Sequence, residues 1–163
     1  LGITTDPRLF YRASMHLRNL GLHEYLKCLS EIECKGVLEC VARAVALCNN
    51  VEEEITIGVD PGKISGVVAI VGTTPIYFWE GPENEVVSIL VKLSKELKVK
   101  SIFIGDGYPL DIGTISNVNV KIVRIPEHSS SKRKLKGFKR HTSSAYIIAT
   151  RLSLSRNKKI DAD

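Results

Sequence analysis

Hydrophobic residues change period several times along this chain, and each change marks an element. From Asp6 the apolar positions Leu9, Phe10, Ala13, Leu17 and Leu20 recur at mostly helical spacing. Asp6 is placed to cap that helix, Pro7 fits its first position and Gly21 stops it. Gly2–Thr5 before it and His23–Leu29 after it read as short strands, and Gly36–Leu47 fits either a strand or a helix. From Ile55 the period becomes two: Ile55, Ile57 and Val59 alternate with Thr56 and Gly58, and Asp60 ends the strand. Pro61-Gly62 forces a turn, and Gly66–Val71 is a second strand returning beside the first. Gly72–Pro75 is a turn and Ile76–Trp79 a third strand of the meander.

Helical spacing resumes after Pro82-Glu83, where Val86, Ile89, Leu90, Leu93 and Leu97 form one apolar face. Ser101–Asp106 is a buried fourth strand and Tyr108–Asn117 a short crossover. Val118–Ile125 is a fifth strand and 126–140 a basic loop. Thr142–Ser155 is a helix with Ala145, Ile148, Ala149 and Leu152 on its inner face. The acidic stretch Asn49–Glu54 divides the chain into a small α/β appendage, residues 1–50, and a larger domain, residues 54–163. An appendage of that size needs the larger domain to pack against.

Composition narrows the classes. The chain has 163 residues, of which 44% are hydrophobic, enough for a proper core. No apolar run approaches the roughly 18 residues of a membrane span, and no basic-then-apolar leader opens the sequence, so the expectation is a cytoplasmic protein with no membrane partner. Four cysteines, at 28, 34, 40 and 48, match no Cys-x-x-Cys pattern. They read as buried free thiols, with a disulfide expected only in a chain from a hyperthermophile.

The net charge of +5 is distributed unevenly. Residues 1–120 hold eleven lysines and arginines against fifteen acids, whereas residues 121–160 hold twelve against one, Glu127. One end of the protein is therefore suited to a polyanion, whose phosphates release counterions on binding. Lys132, Arg133, Lys134, Lys136, Lys139 and Arg140 are the candidate phosphate-binding residues, with Phe138 among them as an aromatic able to stack on a base.

The segment Ile55-Thr-Ile-Gly-Val-Asp60-Pro-Gly-Lys-Ile-Ser-Gly66, a carboxylate at the lip of a strand with small residues around it, resembles the first motif of the RNase H-like superfamily. The resemblance is to RuvC-type Holliday-junction resolvases and their YqgF-type relatives, and it spans residues 54–155. It implies an RNase H-like mixed sheet: three antiparallel strands, then helix, strand, crossover, strand and helix. It makes the first and fourth strands neighbours, so that Asp60 and Asp106 meet at one sheet edge. Two oxygen donors there suit Mg2+ or Mn2+ in phosphodiester cleavage.

The same resemblance assigns further ligands or catalytic groups to Glu127, after the fifth strand, and to the last helix. There His141 and Ser144 stand where a RuvC-type helix carries two Asp residues. His141 is able to bind a metal or shuttle a proton; Ser144 replaces no carboxylate. The implied activity is a metal-dependent nuclease for branched DNA or folded RNA, and a homodimer is compatible with it. The competing reading is a non-catalytic nucleic-acid-binding protein on the same fold. An actin-like ATPase also ends its first strand in Gly-x-Asp-x-Gly, but the roughly 110 residues after Glu54 are too few for the two domains that class requires. The opening Thr4–Arg12 also resembles that of an archaeal family pairing this segment with an RNase H-like domain, and no activity follows from it.

Overall fold

The structure is a computed structural model that describes residues 6–110, 120–126 and 141–150. Helix α1 (Pro7–Asn19) starts as its sequence requires: the Asp6 carboxylate accepts the Arg8 N–H at 2.8 Å and Pro7 occupies the first turn. Gly21, at φ 72°, takes the left-handed conformation that ends it. Residues 23–29 are helical, a 3-10 turn over His23–Tyr25 followed by the single turn α2 (Leu26–Leu29), and not the strand expected there. The reason is spacing. Tyr25, Cys28 and Leu29 are the residues that bury, and steps of three and four require a helix. Helix α3 (Val37–Asn49) settles the ambiguous segment, and Asn50 closes it at φ 53°. The described part of the appendage is thus all helical, not α/β; the expected strand at Gly2–Thr5 lies outside the described residues.

The cysteines also depart from expectation. They form two disulfides, Cys28–Cys48 and Cys34–Cys40, with Cα atoms 5.9 and 5.2 Å apart. Packing of α2 on α3 creates the first pair and the entry of the chain into α3 creates the second. Neither pairing is visible as a sequence spacing.

A five-stranded mixed sheet follows, with strand order β3-β2-β1-β4-β5. Strands β1 (Ile55–Asp60), β2 (Ile64–Val71) and β3 (Thr74–Pro82) pair antiparallel, with Asp60 opposite Gly66. Strand β3 begins earlier than expected and includes Pro75, tolerated because β3 is an edge strand with a register shift there. A 3-10 turn, Glu83–Glu85, leads into α4 (Val86–Glu96), and β4 (Val99–Gly105) and β5 (Lys121–Ile125) add in parallel to β1. Most of the crossover, the basic loop 127–140 and the residues from 151 onward lie outside the described residues.

Alternation divides the sheet into two faces. Ile55, Ile57 and Val59 share one apolar cluster with Ala13 and Leu17 of α1, Val41 and Val45 of α3, and Leu90 and Leu93 of α4. The helical segment 7–49 is therefore built into the core of the sheet, and the acidic stretch before β1 is held: Glu53 pairs with Arg43 at 3.1 Å and Glu54 with Lys100 at 3.0 Å. His16 Nε2 lies 2.7 Å from the Ile76 carbonyl oxygen, tying α1 to β3.

The opposite face receives α5, the helix described over 141–150. Ala145 and Ala149 pack on Val68 and Ile70 of β2, and Ile148 on Phe103 and Ile125. The contact is backbone-close at two glycines. A Cβ on Gly58 would clash with the Ala145 carbonyl and stand 2.7 Å from the Ala149 Cβ. One on Gly66 would clash with the His141 carbonyl and stand 2.9 Å from the Thr142 nitrogen. Only glycine admits the helix at that distance.

Two measurements check this architecture. Gly58→Ala and Gly66→Ala should each lower unfolding stability by about 1–3 kcal/mol in urea titrations, as overpacked sites do, with α5 displaced. Replacing Cys28 and Cys48 together by alanine should remove about 3 kcal/mol, the loop-closure value for a separation of 20 residues. The Cys34–Cys40 pair, separated by 6, should contribute about 2 kcal/mol.

Candidate functional site

The site is assembled where β1 runs out. Pro61 has no N–H to continue the ladder, so the chain must turn immediately after Asp60. Ser65, fully buried, locks that turn: its hydroxyl accepts the Gly62 N–H at 3.1 Å and donates to the Gly62 carbonyl at 2.8 Å. Asp60 belongs to the alternating set that includes Gly58, and thus to the face that carries α5. The close approach at the two glycines brings the first described turn of α5 over the Asp60–Gly66 pair.

His141 is the residue that arrives there. Its Nδ1 lies 3.3 Å from Asp60 Oδ2, with side chains 29% and 16% exposed, so the pair is open to solvent on one side only. A carboxylate accepts and cannot donate when ionised, so the geometry assigns the shared hydrogen to Nδ1. In the neutral imidazole, Nε2 then carries the free lone pair.

Asp106 stands at the same end of the sheet, on the neighbouring strand. Register sets Val59 beside Ile104, so Asp60 lies level with Gly105 and Asp106 falls one residue further, in the alternating set of Ile102 and Ile104. Its N–H donates to the Ile125 carbonyl at 3.0 Å, which extends the β4–β5 ladder by one residue. Asp106 lines an open cavity of about 660 Å³ with Glu83, Tyr108, Pro109, Leu110 and Arg124. Tyr108 donates to Glu83 at 2.7 Å, and Arg124 donates to the Leu110 carbonyl at 2.8 Å. The hydrogen bond to Glu83 raises the Tyr108 phenol above its ordinary value, with desolvation adding to the effect, so this hydroxyl stays a donor at neutral pH.

The structure thus joins Asp60 to an imidazole and gives Asp106 a different set of neighbours. Glu127 and the basic residues Lys132, Arg133, Lys134, Lys136, Lys139 and Arg140 lie outside the described residues. Ser144, in the place of a carboxylate, is 2% exposed within α5. Among the described residues, no group of three or more His, Cys, Asp or Glu side chains is placed to hold a metal ion. No described helix is long and apolar enough to cross a membrane.

Sequence reasoning misses the glycine seat and the Ser65 lock. A signal for the seat exists: Gly58 sits two residues before Asp60, and Ala145 and Ala149 are small residues one helical turn apart.

No family model matches the chain, and no curated protein matches it. Among solved structures it is similar to RuvC of T. thermophilus in complex with a Holliday junction substrate, at 8% sequence identity and a TM-score of 0.48 over 64% of this chain and 96% of that one. At that identity and TM-score the likeness carries no argument about chemistry, and the archaeal resemblance of the opening segment gains no support from it.

Proposed function

We propose that this chain is a metal-dependent nuclease acting on phosphodiester bonds of structured nucleic acid, branched DNA or folded RNA, on an RNase H-like sheet whose domain runs from residue 54 to 163. The observation that carries this reading is the Asp60–His141 pair, fixed at a strand end by a helix that glycine alone admits. A carboxylate with an imidazole beside it combines a hard oxygen donor with a group able to accept or pass on a proton.

The described donors suit one divalent ion better than two. Asp60 would supply that ion with oxygen, the donor that both Mg2+ and Mn2+ prefer, while His141 Nε2, on the ring edge away from the carboxylate, would lie beside the ion and not on it. A bound ion there would polarise a phosphate oxygen and acidify a water molecule. Asp60 orients the His141 ring and holds its tautomer, so that Nε2 is available to take the proton of an attacking water. The basic run from Lys132 to Arg140 supplies sequence-independent binding of backbone phosphates. Glu127 is proposed as a further carboxylate of this site, and Asp106 as one acting from the adjacent strand end.

A second reading, a nucleic-acid binder without catalysis, is favoured by the buried Ser144 at an expected acid position and by the separate surroundings of Asp106.

The deciding experiment uses the full chain with a four-way DNA junction and a folded RNA in the presence of Mn2+. Cleavage should appear, and both Asp60→Asn and His141→Ala should reduce it by at least about 100-fold, the upper range for disrupted metal sites. Binding affinity should stay within about twofold, because His141→Ala removes no phosphate-pairing charge. Absence of cleavage, or cleavage untouched by Asp60→Asn, supports the binder instead. Under either reading, replacing Lys132, Arg133, Lys134 and Lys136 with alanine should flatten the salt dependence of binding by roughly one unit for each phosphate left without its cation. An unchanged slope removes this segment from the interface.

A further inference from the structure

A second cavity lies on the other face of the sheet, where α1, the entry to α3, β3 and α4 converge. Its volume is about 420 Å³, within the range that encloses a small organic ligand. Arg12, Lys35 and Lys92 stand around it, and among the described residues no ion pair or hydrogen bond engages any of their side chains. Of the eleven lysines and arginines in residues 1–120, Arg43, paired with Glu39 and Glu53, and Lys100, paired with Glu54, are the two in a described ion pair, so what sets Arg12, Lys35 and Lys92 apart is their convergence on one cavity. Three cations left over around one concavity raise the local potential for an anion.

The remaining wall is apolar and aromatic. Leu38 is buried, and Tyr77 presents a half-buried ring from β3. The cavity therefore offers cations for a phosphate and a ring face for a planar group. Lys35 is not on a free loop: the Cys34–Cys40 disulfide brackets it and anchors it to α3. The first residues of α3 line the same wall without a side-chain cap, which adds partial positive charge to the cationic set. Glu96 is the one acid among the described lining residues.

We propose that this cavity binds a nucleotide phosphate, with Arg12, Lys35 and Lys92 on the phosphate and Tyr77 against the base. The site is separate from Asp60 and His141, and the inference does not depend on the nuclease reading. The phosphate has two sources, a free nucleotide or the 5′-phosphorylated end of a strand.

Calorimetric titration of the full chain with AMP and ATP, and with an oligonucleotide carrying either a 5′-phosphate or a 5′-hydroxyl, tests it. Binding of AMP or ATP identifies a free nucleotide. Preference for the phosphorylated oligonucleotide without nucleotide binding identifies a strand end. In either case the paired change Arg12→Ala, Lys92→Ala should weaken binding by at least about tenfold, the range for removing two charge-assisted hydrogen bonds. Glu96→Gln should strengthen it about two- to fivefold by removing one like charge, a gain that a folding defect cannot imitate. Asp60→Asn should leave it unchanged, which separates failure of this site from failure of the nuclease reading. The proposal is overturned if neither nucleotide nor phosphorylated end binds, or if binding is indifferent to Arg12→Ala, Lys92→Ala and to Glu96→Gln.

Discussion

The distance between α5 and the sheet is the constraint on which the candidate site depends. A helix normally packs on a sheet through side chains, about 10 Å from the strand backbones. Here the Ala145 carbonyl sits where a Gly58 side chain would begin, and the His141 carbonyl where a Gly66 side chain would begin. Gly66 is the register partner of Asp60, so the same packing that seats the helix determines which of its residues stands over the carboxylate. Side-chain chemistry at the site is thus set by backbone packing. A helix one layer further out would leave His141 out of reach of Asp60.

A sheet with two covered faces imposes a second consequence. Residues on neighbouring strand ends share a site only if they share alternation parity as well as height. Asp60 falls with Gly58 and faces α5, whereas Asp106 is an exposed residue just past the end of β4. Arg124 of β5 lines the cavity with Asp106. The two carboxylates at this sheet edge thus have different described neighbours, His141 for Asp60 and the cavity lined by Arg124 for Asp106.

Much of this is legible in the residues, and the failures have physical causes. Helix α4 and the last helix follow from hydrophobic period, β1 from its alternation of large apolar with small or polar residues, and β2 from a continuous apolar run that matches burial on both faces. The placement of His141 beside the Asp60 edge is implied by the RuvC-type resemblance of the last helix, and not by hydrophobic period. The β1–β4 register is not legible, since it shifts between Ile55 and Thr56 where the strands begin to pair. The run His23–Leu29 misleads because seven residues hold too few repeats to separate periods of two and 3.6. The disulfides are invisible in the sequence because each joins residues that only tertiary packing brings together.

The helical layer links these features to the environment the protein must occupy. Its residues Ala13, Leu17, Val41 and Val45 complete the core beneath β1, and two disulfides fix α2 and the entry to α3 within that layer. Disulfides persist in oxidising compartments, whereas nucleic-acid substrates lie in reducing ones for most organisms. In hyperthermophiles intracellular disulfides are also common. The loop-closure contribution acts on the segment least able to fold alone, helices α1, α2 and α3, which pack on one another as well as on the sheet. The staples and the sheet are then complementary: one restricts the unfolded helical segment, the other supplies the surface it must cover for β1 to hold Asp60 at its end.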